Sequence, residues 1–269
     1  MNEIAFTKYE ALRNDFIIVH QPPPGFRWTA TRVAAICDRR AGAGADGLII
    51  LGAPKGMSAS FRLFNADGGS AEWSGNGIRC AIACLQDTNA VTEMNFKTAA
   101  GPINATIEPR GWRERWASFE RPLPEVRLAK MNSRSAIPLI AGPFHVDAGN
   151  PHRVYIVKDF GFDWEDVGAK CQDSARRTRG INVEFVRLAG LARLEMRLYE
   201  RGVGPTPASG SGALAAVTVC HAQGEIGAKG IAASVGGLQS YEIDDKRGSI
   251  RLHAPVRHVY SGQWSPNVR

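Results

Sequence analysis

Ser74-Gly75-Asn76-Gly77-Ile78-Arg79-Cys80 and Ser209-Gly210-Ser211-Gly212-Ala213-Leu214-Ala215 are one pattern written twice, 135 residues apart in a chain of 269. Each copy sets a small polar residue and two glycines ahead of an alanine-rich apolar run, Ile78 to Leu85 and Ala213 to Val219, which predicts a buried helix. The first N–H groups of a helix have no intrahelical partner and lie at the positive end of the macrodipole, and glycine lets a ligand approach the backbone. Each copy therefore reads as an anion site.

Further matches at the same offset mark an internal duplication. Asn65 lies nine residues before Ser74, and Glu200 nine before Ser209. Gly44 and Asp46 precede the apolar run Leu48 to Leu51, as Gly180 and Asn182 precede Val183 to Val186. Asn14 before Phe16-Ile17-Ile18-Val19 matches Asn150 before Val154-Tyr155-Ile156-Val157. Two homologous halves follow, each expected to donate one helix start to a shared site.

Composition narrows the function classes. A chain of 269 residues suits two domains that each bury a core. The first eight residues carry no basic segment followed by an apolar one, and no run nears the roughly 18 apolar residues of a membrane span, so a cytoplasmic protein with no membrane partner is expected. Five cysteines, an odd number, favour reduced thiols over a disulfide framework. Cys80 and Cys84 sit one helical turn apart, but small apolar residues of a buried helix explain them better than a metal face, and no metal is expected. The formal charge of +7 draws the eye to Arg110 to Arg134, where Trp112, Trp116 and Phe119 interleave with arginines. Glu114, Glu120 and Glu125 interrupt that run, so an exposed strand pair and linker is the better reading and no nucleic-acid partner is expected.

The remaining pattern is strand-rich. Strands are expected over Ile4 to Tyr9, Asp15 to His20, Gly47 to Leu51, Ser60 to Phe64, Glu93 to Lys97, Ile103 to Ile107 and Trp116 to Arg121. Thr29 or Thr31 caps a helix expected to reach about Arg40. Gly42-Ala43-Gly44-Ala45-Asp46-Gly47 fits the dinucleotide fingerprint formally but follows a helix and precedes a strand, the reverse of what pyrophosphate binding needs. Pro122 to Pro138 reads as the crossover between halves. Strands follow near His145 to Asp147, His152 to Lys158, Ile181 to Leu188 and Ala192 to Tyr199, then a helix over Gly210 to Ala222. Short strands are expected around Ile231 to Val235, Gln239 to Ile243, Ser249 to Ala254 and His258 to Tyr260.

Phe64-Asn65-Ala66-Asp67-Gly68 with the first glycine pattern, Gly149-Asn150-Pro151-His152, and Tyr199-Glu200-Arg201-Gly202-Val203-Gly204 with the second together resemble the diaminopimelate epimerase family. Lys8 to Phe16 also resembles that family's opening segment. The resemblance implies an α/β (α+β) fold of two pseudo-symmetric strand-rich, barrel-like domains, each around a central helix. The domains would be residues 1–121, joined by the C-terminal strand 256–269, and 122–255. It also implies inversion of an amino-acid α-carbon without pyridoxal phosphate or any other cofactor, and leaves room for a homodimer.

In the family one cysteine removes the α-proton and a second delivers one to the opposite face; here both positions are serine, Ser74 and Ser209. A thiol with an ordinary pKa of about 8.5 needs only a modest shift, which a helix start supplies, whereas ionising a serine hydroxyl unaided adds on the order of 8 kcal/mol. A serine base needs a neighbouring general base. By family position His152 is the candidate, beside the plainer reading of a histidine packing a strand start. Pro205, Pro207 and Arg13 also depart from the family pattern, so the loop before Ser209 has diverged together with its nucleophile position.

The resemblance further assigns Asn14, Asn65, Asn150, Asn182, Glu200 and Arg201 to the two amino-acid head groups. The amides at Gly75, Asn76, Gly210 and Ser211 would receive the carboxylate at the reacting carbon. Fixing carboxylate and ammonium orients the α-proton, amide donors stabilise the developing charge, and Glu200 and Arg201 suit an ammonium and a carboxylate. Each asparagine alone reads equally as a turn or strand-end residue. Three functions stay open on this reading: an amino-acid epimerase, a dehydratase needing one competent base, and an amino-acid binder without turnover.

Overall fold

The computed structural model describes residues 3–22, 24–110, 114–129, 137–175 and 180–266. In chain order the first elements are β1 (Ile4–Ala11), β2 (Asn14–His20), α1 (Ala30–Cys37), β3 (Gly47–Leu51), β4 (Ser58–Asn65), β5 (Ser70–Ala71), α2 (Gly75–Asn89), β6 (Glu93–Thr98), β7 (Gly101–Arg110) and β8 (Glu114–Pro122). There follow β9 (Val126–Leu128), β10 (Leu139–Asp147), β11 (Pro151–Val157), α3 (Trp164–Ala175), β12 (Asn182–Leu188), β13 (Arg193–Glu200), β14 (Gly204–Thr206), α4 (Gly210–Ala222), β15 (Lys229–Ser234), β16 (Gly237–Asp244) and β17 (Ser249–Trp264). The chain forms two compact units, Met1–Phe119 with Ala254–Arg269, and Glu120–His253.

In the first unit β1 and β2 form an antiparallel hairpin, with Tyr9 opposite Phe16. Next, β2 runs parallel to β3, β3 antiparallel to β4, β4 parallel to β6, and β6 antiparallel to β7. β8 lies beside β7 and pairs with β17, which also pairs with β1, so eight strands close on themselves. A parallel pair cannot be joined by a hairpin and needs a crossover. α1 supplies the one between β2 and β3, and α2 the one between β4 and β6.

The second unit repeats this order. β10 and β11 are antiparallel, β11 and β12 parallel, β12 and β13 antiparallel, β13 and β15 parallel, and β15 and β16 antiparallel. α3 and α4 stand where α1 and α2 stood, and β14 pairs with β13 as β5 pairs with β4. The duplication read from spacing is therefore present in the hydrogen-bond ladders of both units.

α2 packs against β1, β2, β3, β6 and β7, and α4 against β9 to β13. Residues Gly75 to Leu85 and Gly210 to Cys220 are all buried, as expected of helices without a polar face. Burying Ile78, Ile82 and Leu85 fully is worth roughly 1.5–3 kcal/mol each. Small residues elsewhere on these helices let the strands approach. A Cβ on Gly77 would stand 3.2 Å from Ile49 Cδ1, and one on Gly212 would stand 2.9 Å from Glu184 Oε1. The last glycine of each pattern thus serves packing of strand against helix start.

Several expected limits change. α1 stops at Cys37, capped by Asp38, well short of Arg40. Asp38 then accepts from the N–H groups of Arg40 and Ala41, which turns the chain toward β3. The two short strands expected at the C-terminus are one, β17, of 16 residues, because Pro255 is accommodated without a break. α3 was not foreseen: its central Gly168 and short apolar stripe hide the period, and that glycine is needed because a Cβ there would meet the Tyr199 ring at 2.5 Å. β9 lies inside the expected crossover and pairs with β10, and residues 130–136 of that crossover lie outside the described residues.

Candidate active site

Ser74 caps α2 from an extended backbone, its Oγ accepting from the Gly77 N–H at 3.1 Å. Two residues on, Asn76 is wholly buried and receives Arg79 Nη1 on its Oδ1 at 2.7 Å. That bond fixes the amide, so Asn76 Nδ2 faces Asn14 Oδ1 at 3.4 Å, and Asn14 Nδ2 in turn donates to Asp46 Oδ2 at 2.8 Å. Asp46 is also held by Arg39, which binds Asp15 through both terminal nitrogens. Burial would raise the Asp15 carboxyl, but hydrogen bonds from Arg39, Lys8 and the Asp46 N–H outweigh it and hold Asp15 below the usual carboxylate range. Arg79 lies over the Phe119 ring at 4.9 Å, and burial pushes its guanidinium down to about 9.

Ser209 caps α4 in the same way, accepting from the Gly212 N–H at 3.1 Å. Here the next polar contacts differ. Ser209 Oγ lies 3.4 Å from Ser211 Oγ, which receives a long bond of 3.5 Å from Asn150 Nδ2. Asn150 Oδ1 is 2.9 Å from His152 Nε2, and His152 Nδ1 is 2.7 Å from Glu184 Oε1. His152 and Glu184 are both buried, and Glu184 Oε2 has no hydrogen-bond partner among the described residues. Burial raises the Glu184 carboxyl above the usual range, and the charge and hydrogen bond of His152 oppose that rise.

The helix-capping glycine patterns and the hairpin asparagines therefore meet within each unit: Asn14 with Asn76, and Asn150 with Ser211. Asn65 ends β4, its backbone closing the turn to Gly69. Asn182 is buried with both ends of its amide engaged, donating to the Pro151 carbonyl at 3.1 Å and accepting from the Arg201 N–H at 3.0 Å. It ties the start of β11 to the end of β13, a positioning duty. Glu200 ends β13 half-buried, and the stem of Arg201 lies over Gly180, where a Cβ would meet its Cγ and Cδ at 2.9 Å. Gly180 has φ +75°, so the turn itself also requires glycine. Gly75, Asn76, Gly210 and Ser211 form the first turns, where the leading N–H groups have no intrahelical acceptor.

All five cysteines are buried thiols. Burial pushes Cys84 up to about 12 and Cys80 well above its ordinary value, so neither α2 thiol supplies a thiolate near neutrality. No group of three or more His, Cys, Asp or Glu able to hold a metal is present among the described residues. No helix among them is long and apolar enough to cross a membrane. Of the basic stretch from Arg110 to Arg134, residues 111–113, with Trp112, and 130–134 lie outside the described residues; Phe119 is a core residue, and Arg115 pairs with Asp87 at 2.6 Å.

Sequence reasoning passed over Arg79, Asp46 in its bonding role and Glu184. Arg79 and Glu184 carried a signal: a charge in the middle of an apolar run, as Glu184 in Asn-Val-Glu-Phe-Val, demands a buried partner.

The diaminopimelate epimerase model matches residues 6–116 and 144–254, most of both units. The chain belongs to the diaminopimelate epimerase family. It is 31% identical to the diaminopimelate epimerase of Synechococcus sp. (strain JA-3-3Ab) over 97% of this chain and 98% of that one. It is 32% identical to the enzyme of Desulforudis audaxviator (strain MP104C) over 96% and 98%. Among solved structures, a predicted epimerase from Pseudomonas aeruginosa superposes with a TM-score of 0.75 at 14% identity, covering 97% of this chain and 98% of that one. A probable proline racemase from Agrobacterium radiobacter K84 gives 0.75 at 14% identity over 97% and 93%. A Bacillus anthracis phenazine biosynthesis protein of the PhzF family gives 0.74 at 14% over 98% and 100%. These likenesses establish the fold as that of the epimerases and PhzF-like proteins, with a strand-rich α+β unit built twice around a buried helix.

Proposed function

We propose that this diaminopimelate epimerase relative inverts an amino-acid α-carbon by proton transfer without a cofactor, acting on a diaminopimelate-like substrate of lysine and peptidoglycan precursor synthesis in the cytoplasm. Ser74 and Ser209 are the acid–base pair. The observation that carries this reading is their matching cap bond: each hydroxyl caps a buried helix at the head of its first free amides. Gly75, Asn76, Gly210 and Ser211 receive the carboxylate at the reacting carbon, and Asn14, Asn65, Asn150, Asn182, Glu200 and Arg201 order the head groups around it. Donors aimed at the developing enolate-like charge lower the barrier for whichever oxygen takes the proton.

A second reading is favoured by one observation: the two serines are not equally supported, since among the described residues only Ser209 adjoins a chain leading to a histidine and a carboxylate. One competent base suffices for a dehydratase. Incubation with diaminopimelate in heavy water, followed by stereochemical analysis of the product, separates the readings. Deuterium with inversion supports epimerisation, loss of a substituent supports elimination, and binding without deuterium uptake leaves an amino-acid binder.

A further inference from the structure

The two halves differ beneath their helix starts, and the difference has a direction. By the offset of 136 that aligns Asn14 with Asn150, Phe16 matches His152 and Leu48 matches Glu184, while Arg79 matches Leu214 at the helix offset of 135. The buried titratable side chains beneath the two starts therefore come from different elements: Arg79 on α2 in the first half, and His152 on β11 with Glu184 on β12 in the second.

In the first half the donors run away from the helix start, from Arg79 to Asn76, to Asn14, to the Asp46 carboxylate. Ser74 is not among them. In the second half they run toward it. Asn150 Oδ1 can only accept, so His152 Nε2 must carry a hydrogen, and a single proton then lies between His152 Nδ1 and Glu184 Oε1 at 2.7 Å. With Oδ1 occupied, the Asn150 amide presents Nδ2 to Ser211, whose own hydrogen is left for Ser209 Oγ. The Gly212 N–H approaches the same oxygen.

We propose that Glu184 is a positioning residue for Ser209: by holding one proton with His152 it sets the imidazole and the Asn150 amide so that two donors converge on the Ser209 oxygen, making it the readier of the two serines to ionise. The inference rests on the epimerase reading above. Ser209, its own hydroxyl proton first released to solvent, takes the α-proton on its oxygen with the C–H bonding electrons left on carbon, and Ser74 gives its hydroxyl proton to the other face and is left as the alkoxide. The long contacts of 3.4 and 3.5 Å are those that a bound substrate would tighten.

The test is initial deuterium uptake in heavy water from LL- and meso-diaminopimelate supplied separately. Ser209→Ala identifies the isomer whose α-hydrogen faces Ser209. Glu184→Gln is expected to slow uptake from that isomer about tenfold or more and to change the other less than about threefold. The double change His152→Phe with Glu184→Leu installs the residue types of the first half and keeps the site packed; it is expected to show the same isomer-selective loss. Equal slowing of both isomers, the mark of a merely structural role, or no slowing of either would overturn the proposal. Nitrogen-15 spectra of the imidazole read the same chain without turnover: a hydrogen on Nε2 and a downfield shared proton on Nδ1 that vanishes in Glu184→Gln are expected, and a bare Nε2 in the parent protein would overturn it. If the parent exchanges neither isomer, the epimerase reading fails, and the imidazole spectrum decides the hydrogen-bond chain alone.

Discussion

Ser74 and Ser209 accept the N–H of Gly77 and Gly212 at the same distance, 3.1 Å, so two residues in separate units hold one local geometry. Both Oγ atoms have a structural duty as helix caps besides the proposed chemical one. Ser74→Ala and Ser209→Ala are each expected to lower the unfolding free energy by about 1 kcal/mol, read from urea denaturation. Each should also end epimerisation. A loss of activity with no loss of stability would show that the cap bond contributes nothing.

Arg79 is the largest wholly buried side chain among the described residues, and its contact with Asn76 orients the first helix start. Arg79→Ala is expected to cost roughly 3 kcal/mol or more, because it opens a cavity against Phe119 and strips Asn76 Oδ1 of that donor. Arg79→Met fills the volume and removes a desolvated charge, so most of the stability should return. Ligand affinity should not return with it, since the Asn76 and Asn14 amides lose their fixed orientation. Calorimetry with diaminopimelate on both variants makes the comparison.

Gly180→Ala should weaken binding at a distance from any proposed ligand contact. The new Cβ would press on Arg201 Cγ and Cδ, and the positive φ adds about 1 kcal/mol of backbone strain. Lower diaminopimelate affinity, with Arg201→Ala adding little further loss, is the expected pattern in a double-mutant cycle. Independent, additive losses would contradict the route through Arg201.

The acid side of the stability profile should depend on Asp15. Its folded-state pKa lies below the ordinary 3.8, so its contribution is present above that value and fades as pH falls through the depressed one. Thermal unfolding of Asp15→Asn should therefore show a deficit near neutrality that narrows below about pH 4. A deficit independent of pH would assign the residue to packing alone.

The duplicated helix starts were legible because capping serines, glycines and alanine-rich runs act locally, and α4 spans Gly210 to Ala222 as its sequence predicts. Strands β2 and β3 were legible as apolar runs bounded by polar turns. α3 was not, since its stability comes from packing on β12, β13 and β14 around Gly168. At the site, spacing singled out Asn14, Asn150 and the two serines. It could not reveal that Asn182 spends both ends of its amide on Pro151 and Arg201, or that His152 finds Glu184 across a strand pair. Those contacts join residues 19 to 32 positions apart, beyond the reach of any local period.

The central claim is that serine chemistry at two helix starts moves an α-proton, and α-hydrogen exchange of diaminopimelate in heavy water tests it most directly when the parent is compared with the double change Ser74→Cys and Ser209→Cys. A thiol at a helix start ionises near neutrality, whereas the serine oxygens face a penalty on the order of 8 kcal/mol that their donors offset only in part. The account predicts measurable exchange by the parent and exchange faster by orders of magnitude in the double-cysteine protein. No exchange by the parent with its fold intact, whether or not the double-cysteine protein exchanges, would contradict it.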